Sequence, residues 1–230
     1  MLLSMRGSPI WEGERRMADV LHIDPEHLKM RPIKRAVEAL SDGGVIVYPT
    51  DTVYGLGCDI TCKAAVERIQ RIKGRDPRKP MSFVCADLND ISRYAQVSNF
   101  AYRILRRLLP GAYTFVLPAT KETPKLLRSR QKTVGIRIPD HNVSTSLVAQ
   151  LNRPLLSTSA NRSEQDAITD PFLLEEELGA HVDIILECGE LPVAPSSVIS
   201  LIDDEVEILR EGSGDLSYFL DPGSALSESR

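Results

Sequence analysis

The sequence is short of the residues that mark several familiar classes of site. Only 5% of its 230 residues are aromatic, and it holds one Trp, four Cys and four His. Cys58, Cys62, Cys85 and Cys188 form no Cys-x-x-Cys pair, and none has a His at zinc-finger spacing. Neither a metal centre nor a disulfide framework is therefore indicated, and reduced structural thiols are expected. His22, His27, His141 and His181 do not cluster or stand in a recognisable triad, which argues against a histidine-centred hydrolase. No run reaches the roughly 18 apolar residues needed to span a bilayer, and residues 1–17 lack the apolar core of a signal peptide. The expectation is a soluble cytoplasmic protein with no membrane partner. Phosphate loops of the form GxxxxGK[ST], dinucleotide turns of the form GxGxxG, and the HExxH and GxSxG motifs are also missing.

What is present is an ordinary globular composition, 42% hydrophobic and 26% charged, with an uneven charge distribution. Between Lys63 and Arg137 stand 17 Lys/Arg against 5 Asp/Glu, whereas the rest of the chain carries 11 against 27, giving −4 overall. Clustered positive charge concentrates anions such as nucleotides or RNA phosphates, although scattered solvated helix faces would give the same count.

Residues 1–19 show no apolar periodicity and read as a loose extension, with Met17 as a second candidate start, and 221–230 read as a flexible tail. Residues 20–220 read as one domain. Helical spacing of Ile33, Ala36, Val37 and Leu40 predicts a helix over 32–40, ended by Gly43-Gly44. Thr61 is the expected N-cap of a second helix, in which Ala65, Ile69 and Ile72 share a face. Further helices are expected over 99–109 and 143–151. Strands are expected at 45–48, 81–85, 113–117, 134–138, 155–157, 184–186, 198–201 and 206–209. The last two, joined through Asp203-Asp204-Glu205, look like a hairpin. The class is therefore α/β with a mixed sheet.

The chemistry-bearing segments lie at the ends of these elements. In Tyr48-Pro49-Thr50-Asp51-Thr52-Val53-Tyr54-Gly55-Leu56-Gly57 a buried strand runs into a Thr/Asp turn, which could cap local backbone or hold a small polar substrate. Lys73-Gly74-Arg75-Asp76-Pro77-Arg78-Lys79-Pro80 gathers four cations in a turning connection, where Arg offers a planar fork and Lys a mobile point charge to phosphate. Arg137 alternates with Ile136 and Ile138 on an apolar strand, so it needs either an internal carboxylate or an anionic ligand. Ser157-Thr158-Ser159-Ala160-Asn161 follows a short buried strand, where open α/β sheets often bind ligands. Pro195-Ser196-Ser197 precedes one strand, and Arg210-Glu211-Gly212 follows another.

In this order, the segments YPTDTVYGLG, KGR, PGAYTF, VGIRIPDH, LLSTSAN, PSSV and LREG resemble the YrdC/TsaC/YciO family from about residue 33 to 212. The resemblance implies a single YrdC-like domain, a twisted mixed sheet flanked by helices around a positively charged central cavity. Synthases of this family make threonylcarbamoyl-AMP and pyrophosphate from ATP, L-threonine and bicarbonate, for the t6A modification of tRNA. By that resemblance Lys73, Arg75, Ser159 and Asn161 form the catalytic anion site. Thr50, Thr52 and Tyr54 line the threonine or nucleotide pocket, and Arg137 takes a carboxylate or phosphate. Ser157, Ser197 and Arg210 lie on the nucleotide side, and Thr114 lines the cavity. Mg²⁺ is expected to enter with ATP, with no protein metal cage and no tightly bound cofactor. Double-stranded RNA or tRNA and tRNA-modification proteins are the implied macromolecular partners. Asp76 in place of a common Pro and Phe83-Val84-Cys85 where some members carry a His depart from the family pattern, and the ending Arg210-Glu211-Gly212-Ser213-Gly214-Asp215 resembles the YciO branch more than the Arg-Pro-Gly common in synthases. The alternative is therefore a YciO-type paralogue that binds nucleotide or double-stranded RNA with weak or no synthase activity.

Overall fold

The computed structural model describes residues 17–74, 81–162, 165–192 and 194–220. Ten strands form one sheet: β1 (Asp19–His22), β2 (Val45–Tyr48), β3 (Gly55–Asp59), β4 (Ser82–Val84), β5 (Tyr113–Pro118), β6 (Thr133–Arg137), β7 (Leu155–Ser159), β8 (Ile184–Glu187), β9 (Ser197–Ser200) and β10 (Glu207–Arg210). Their order is β1-β8-β2-β3-β7-β4-β6-β5-β9-β10. Four pairs are parallel (β1/β8, β2/β8, β4/β6, β5/β9) and the others antiparallel, so the sheet is mixed as expected. β9 and β10 form the expected antiparallel pair. The helices are α1 (Met30–Ser41), α2 (Lys63–Lys73), α3 (Leu88–Tyr94), α4 (Asn99–Leu108), α5 (Asn142–Leu151), α6 (Pro171–Leu178) and α7 (Ser217–Leu220).

Strand alternation divides the interior. On one face Val45, Val47, Leu56, Phe83, Phe115, Ile136, Leu156 and Ile199 join the larger core, with Ile69, Ile91 and Leu105 from α2, α3 and α4. On the other, Ile46, Tyr48, Val84, Leu155, Ile184 and Leu186 pack with Ile33, Ala36 and Leu40 of α1 and Val143, Leu147 and Leu151 of α5. Successive side chains point to opposite faces, so the polar residues that alternate with the larger core on β4, β5, β6 and β9 share the face left open beside α1 and α5.

One expectation is corrected. Thr61 does not cap α2. Its N–H and hydroxyl both donate to Asp59 Oδ1, at 2.8 and 2.7 Å, and the helix starts after Cys62 without a side-chain cap. Gly55-Leu56-Gly57, for which no element is expected from the sequence, is the body of β3, paired to β2 and β7 on either side. The ring of Tyr48 explains why glycines stand there: a Cβ on Gly57 would lie 2.8 Å from Tyr48 Cε1, and one on Gly55 would lie 3.0 Å from Tyr48 Cζ. At the chain's start β1 opens at Asp19, and the Ala18 N–H donates to Gly179 O, so ordered structure begins within the segment read as an extension. Residues 1–16 and 221–230 lie outside the described residues. No helix among the described residues is long and apolar enough to cross a membrane.

Candidate anion-binding cavity

The open face carries a cavity of about 600 Å³, within the range of small-molecule sites. Period-two alternation supplies its wall: Ser82 and Val84 from β4, Thr114 and Val116 from β5, Thr133, Gly135 and Arg137 from β6, Ser157 and Ser159 from β7, and Val198 from β9. Thr50, Val53 and Tyr54 contribute from the β2–β3 connection, Ser129 to Gln131 from the loop before β6, and Pro195 and Ser196 from the segment before β9. Arg130, Arg137 and Arg210 line it, and no carboxylate does among the described residues.

Of the residues named from the sequence, Thr50, Tyr54, Thr114, Arg137, Ser157, Ser159 and Arg210 reach this wall. Thr50 Oγ1 donates to Val53 O at 2.7 Å and accepts from Thr52 N at 3.2 Å, so its hydroxyl shapes the turn that it also exposes. Thr52 does not reach the cavity wall; it is wholly buried, with its hydroxyl 3.1 Å from that of Thr50. Tyr54 lines the cavity from a fully buried position, and its hydroxyl donates to Gly189 O at 2.6 Å and accepts from Cys188 N at 3.0 Å. Burial pushes its phenol pKa well up, which keeps it neutral.

Ser157 is oriented from behind. Tyr48 OH donates to its Oγ at 2.7 Å, and burial holds the Tyr48 phenol up to about 12. With Tyr48 as a fixed donor, Ser157 keeps its own hydroxyl proton for another acceptor.

Lys73 ends α2 and is almost entirely buried. Its Nζ donates to Ser159 O at 2.8 Å and to Asn161 Oδ1 at 2.5 Å. Asn161 Oδ1 also accepts from Ser159 Oγ at 2.6 Å, and Asn161 Nδ2 donates to Gln165 O. The two motifs that the sequence separates widely therefore meet at the end of β7. Lys73 and Asn161 stand behind the cavity wall, and Ser159 stands on it. Arg75 lies outside the described residues.

Arg137 is 7% exposed and donates from Nη2 to Asp51 Oδ1. This internal carboxylate is one of the two partners that the lone strand Arg required. Its Nε, however, is buried with no hydrogen-bond partner. Arg210 donates from Nε and Nη2 to Ser196 O, at 3.2 and 2.8 Å. Its pKa is drawn below the usual guanidinium value, first by burial and then by the charge of Arg137. Two cations that repel each other on one wall favour an anion between them.

The Ser196-Ser197 pair resolves in the opposite sense to the sequence reading. Ser197 is fully buried and faces away from the cavity; its Oγ donates to Gly214 O at 2.8 Å and accepts from Gly212 N at 3.1 Å. Ser196 is the one on the wall, 2.8 Å from Thr114 Oγ1. Alternation with Val198 (cavity) and Ile199 (core) carried that information. Sequence reasoning also missed Ser82, Ser129, Arg130 and Thr133 as wall residues. Ser82 and Thr133 alternate with core positions, whereas the loop bearing Ser129 and Arg130 has no periodic signal. His141 caps α5, its Nδ1 accepting from Val143 N at 3.3 Å. Burial lowers its pKa, opposed by Asp51 and Asp140. No group of three or more His, Cys, Asp or Glu suited to a metal occurs among the described residues.

The Sua5/YciO/YrdC family model, described as telomere recombination, matches residues 38–212. The chain belongs to this family. YciO of Escherichia coli (strain K12) is 40% identical over 206 residues, covering 89% of this chain and 100% of its own. The E. coli YciO crystal structure matches with a TM-score of 0.85, covering 88% of this chain and 100% of that one. A threonylcarbamoyl-AMP synthase of Vibrio vulnificus (strain YJ016) is 34% identical over 163 residues, 69% of this chain and 88% of its own. The crystal structure of P. abyssi Sua5 complexed with L-threonine matches at 27% identity and a TM-score of 0.83, covering 91% of this chain and 61% of that one. The family therefore joins YciO proteins to threonylcarbamoyl-AMP synthases, and this chain carries the shared α/β fold.

Proposed function

We propose that the protein is a nucleotidyltransferase of the threonylcarbamoyl-AMP synthase type, using ATP, L-threonine and bicarbonate. The observation that carries this reading is a wall, free of carboxylates among the described residues, on which Arg137 and Arg210 face one cavity among hydroxyls. Such a wall suits a polyanion better than a neutral substrate.

In this reading the threonine amine and bicarbonate give a carbamate and water. A carbamate oxygen then attacks the α-phosphorus, the bond to the bridging oxygen breaks, and pyrophosphate leaves with its electron pair. The protein supplies no nucleophile. Arg137 and Arg210 offset charge on the phosphate chain, and Ser157, held by Tyr48, donates into the cavity. Lys73 fixes the Ser159–Asn161 turn and adds positive charge behind it. Mg²⁺ arrives with ATP. The catalytic contribution is alignment and electrostatic stabilisation. Turnover should require all three substrates together; pyrophosphate release from ATP that ignores threonine and bicarbonate would overturn the reading.

A second reading is favoured by the end-to-end likeness to YciO and by the Arg210-Glu211-Gly212 ending. Here the chain is a paralogue that binds nucleotide or double-stranded RNA and turns over little. RNA binding of this kind should weaken steeply with added salt through counterion release and should not require threonine.

A further inference from the structure

We infer that Asp51 is an internal counter-anion that occupies Arg137 in the empty cavity and gives way to a phosphate-chain oxygen, so that it sets the cavity's affinity for that ligand. This rests on the cavity being a phosphate site and not on threonylcarbamoyl transfer. The side chains of Arg137 and Asp51 are 9% and 13% exposed, so the pair is shielded from water. Their contact is one-pronged: Asp51 Oδ1 meets Nη2, while the adjacent Nε has no partner. A guanidinium is best satisfied by two parallel N–H bonds to one oxyanion. Asp51 thus fills half of a fork whose other half is buried and unpaired, on a residue of the cavity wall.

The surroundings give the exchange a direction. Arg210 lies near enough to Arg137 for the two charges to repel. Among the described residues Asp51 pairs with Arg137 and not with Arg210, which is held by Ser196, and Asp51 is itself absent from the wall. An incoming phosphate chain can span both arginines, which Asp51 cannot do. It must then compete with Asp51 for Nη2 and sit close to a negative charge. Removing that charge while keeping the shape of the side chain should strengthen phosphate binding, not weaken it.

The test is titration calorimetry of the full chain with inorganic pyrophosphate at fixed low salt, on wild type, Asp51→Asn, Arg137→Gln and the double variant. Asp51→Asn is expected to bind pyrophosphate roughly tenfold more tightly than wild type. In the Arg137→Gln background the same change should alter affinity less than about twofold, because the competition runs through that guanidinium. The double variant also keeps the test decisive should Asp51→Asn melt early. Weaker binding by Asp51→Asn would make Asp51 a brace for Arg137 and overturn the inference. So would a tenfold gain that persists without Arg137, since that is a field effect. A parallel titration with L-threonine alone should not respond to Asp51→Asn; a response confined to threonine would make the fork a carboxylate site and overturn the phosphate assignment. If neither wild type nor Asp51→Asn binds pyrophosphate, the phosphate reading of the cavity fails with the inference.

Discussion

Lys73 Nζ lies 2.5 Å from Asn161 Oδ1, across 88 positions of sequence, and 2.8 Å from the carbonyl of Ser159. The end of α2 and the end of β7 are thereby tied by a charged donor buried behind the cavity wall. Removing the ammonium leaves Ser159 O and Asn161 Oδ1 without that donor, at a cost of about 1–3 kcal/mol. Lys73→Ala should still fold, with a lowered melting temperature, and should lose at least about a hundredfold in ATP-dependent turnover. Steady-state kinetics beside a thermal melt would check this. Wild-type turnover in a folded Lys73→Ala protein would contradict the assignment.

Tyr48 links packing to the site. Gly57→Ala would push a methyl to 2.8 Å from Tyr48 Cε1 and 3.2 Å from Leu156 O, both on wholly buried residues. Overpacking of this kind costs about 1–3 kcal/mol, measurable as a lower urea midpoint. Tyr48→Phe keeps the ring but removes the donor to Ser157. It should destabilise by about 1 kcal/mol and raise the KM for ATP more than it lowers kcat. An unchanged KM would show that the orientation of Ser157 does not matter to binding.

The adjacent serines before and in β9 should separate cleanly. Ser197→Ala strips the Gly212 N–H and the Gly214 carbonyl of their buried hydroxyl partner and should cost about 1–3 kcal/mol. Ser196→Ala removes a wall hydroxyl shared with Thr114 and should chiefly weaken nucleotide binding, with a smaller loss of stability. Equal melting losses in the two variants would refute the division between them.

His141 gives a pH dependence with a defined sign. Its folded-state pKa lies below the ordinary 6.5, chiefly through burial, and its Nδ1 must be unprotonated to accept from Val143 N. Below the unfolded value the unfolded chain takes up this proton more readily than the native one, so stability falls as pH drops from about 6.5 through the folded value. His141→Asn retains a capping acceptor without the titration. It should flatten the decline in melting temperature between about pH 7 and 5. A slope as steep as the wild type's would assign the acid sensitivity to other groups.

Much of this was legible in the sequence because it follows from period. β2 was read to the residue, and β5, β6 and β8 to within one residue at either end, because their buried faces impose an unbroken apolar signal. β3 carries no strand signal of its own because its glycines, weak in any local pattern, are demanded by the Tyr48 ring from the neighbouring strand. α3 and α6 were missed although Asp87 and Asp170 cap them, each accepting backbone N–H bonds in the first turn. Both helices are too short to show strong periodicity. At the site, motif order brought Ser159, Arg137 and Arg210 to one cavity. It does not separate Ser196 from Ser197, which needs the alternation with Val198 and Ile199, and it cannot reveal that Asp51 partners Arg137, since that depends on how separate segments stack.

The most direct test of the central claim is to incubate the purified chain with labelled bicarbonate, ATP, Mg²⁺ and L-threonine and to resolve the products. The account predicts labelled threonylcarbamoyl-adenylate together with one pyrophosphate per adduct, and neither when threonine is omitted. A folded protein that binds ATP yet forms no labelled adenylate would contradict it and leave the YciO-type binding protein in its place.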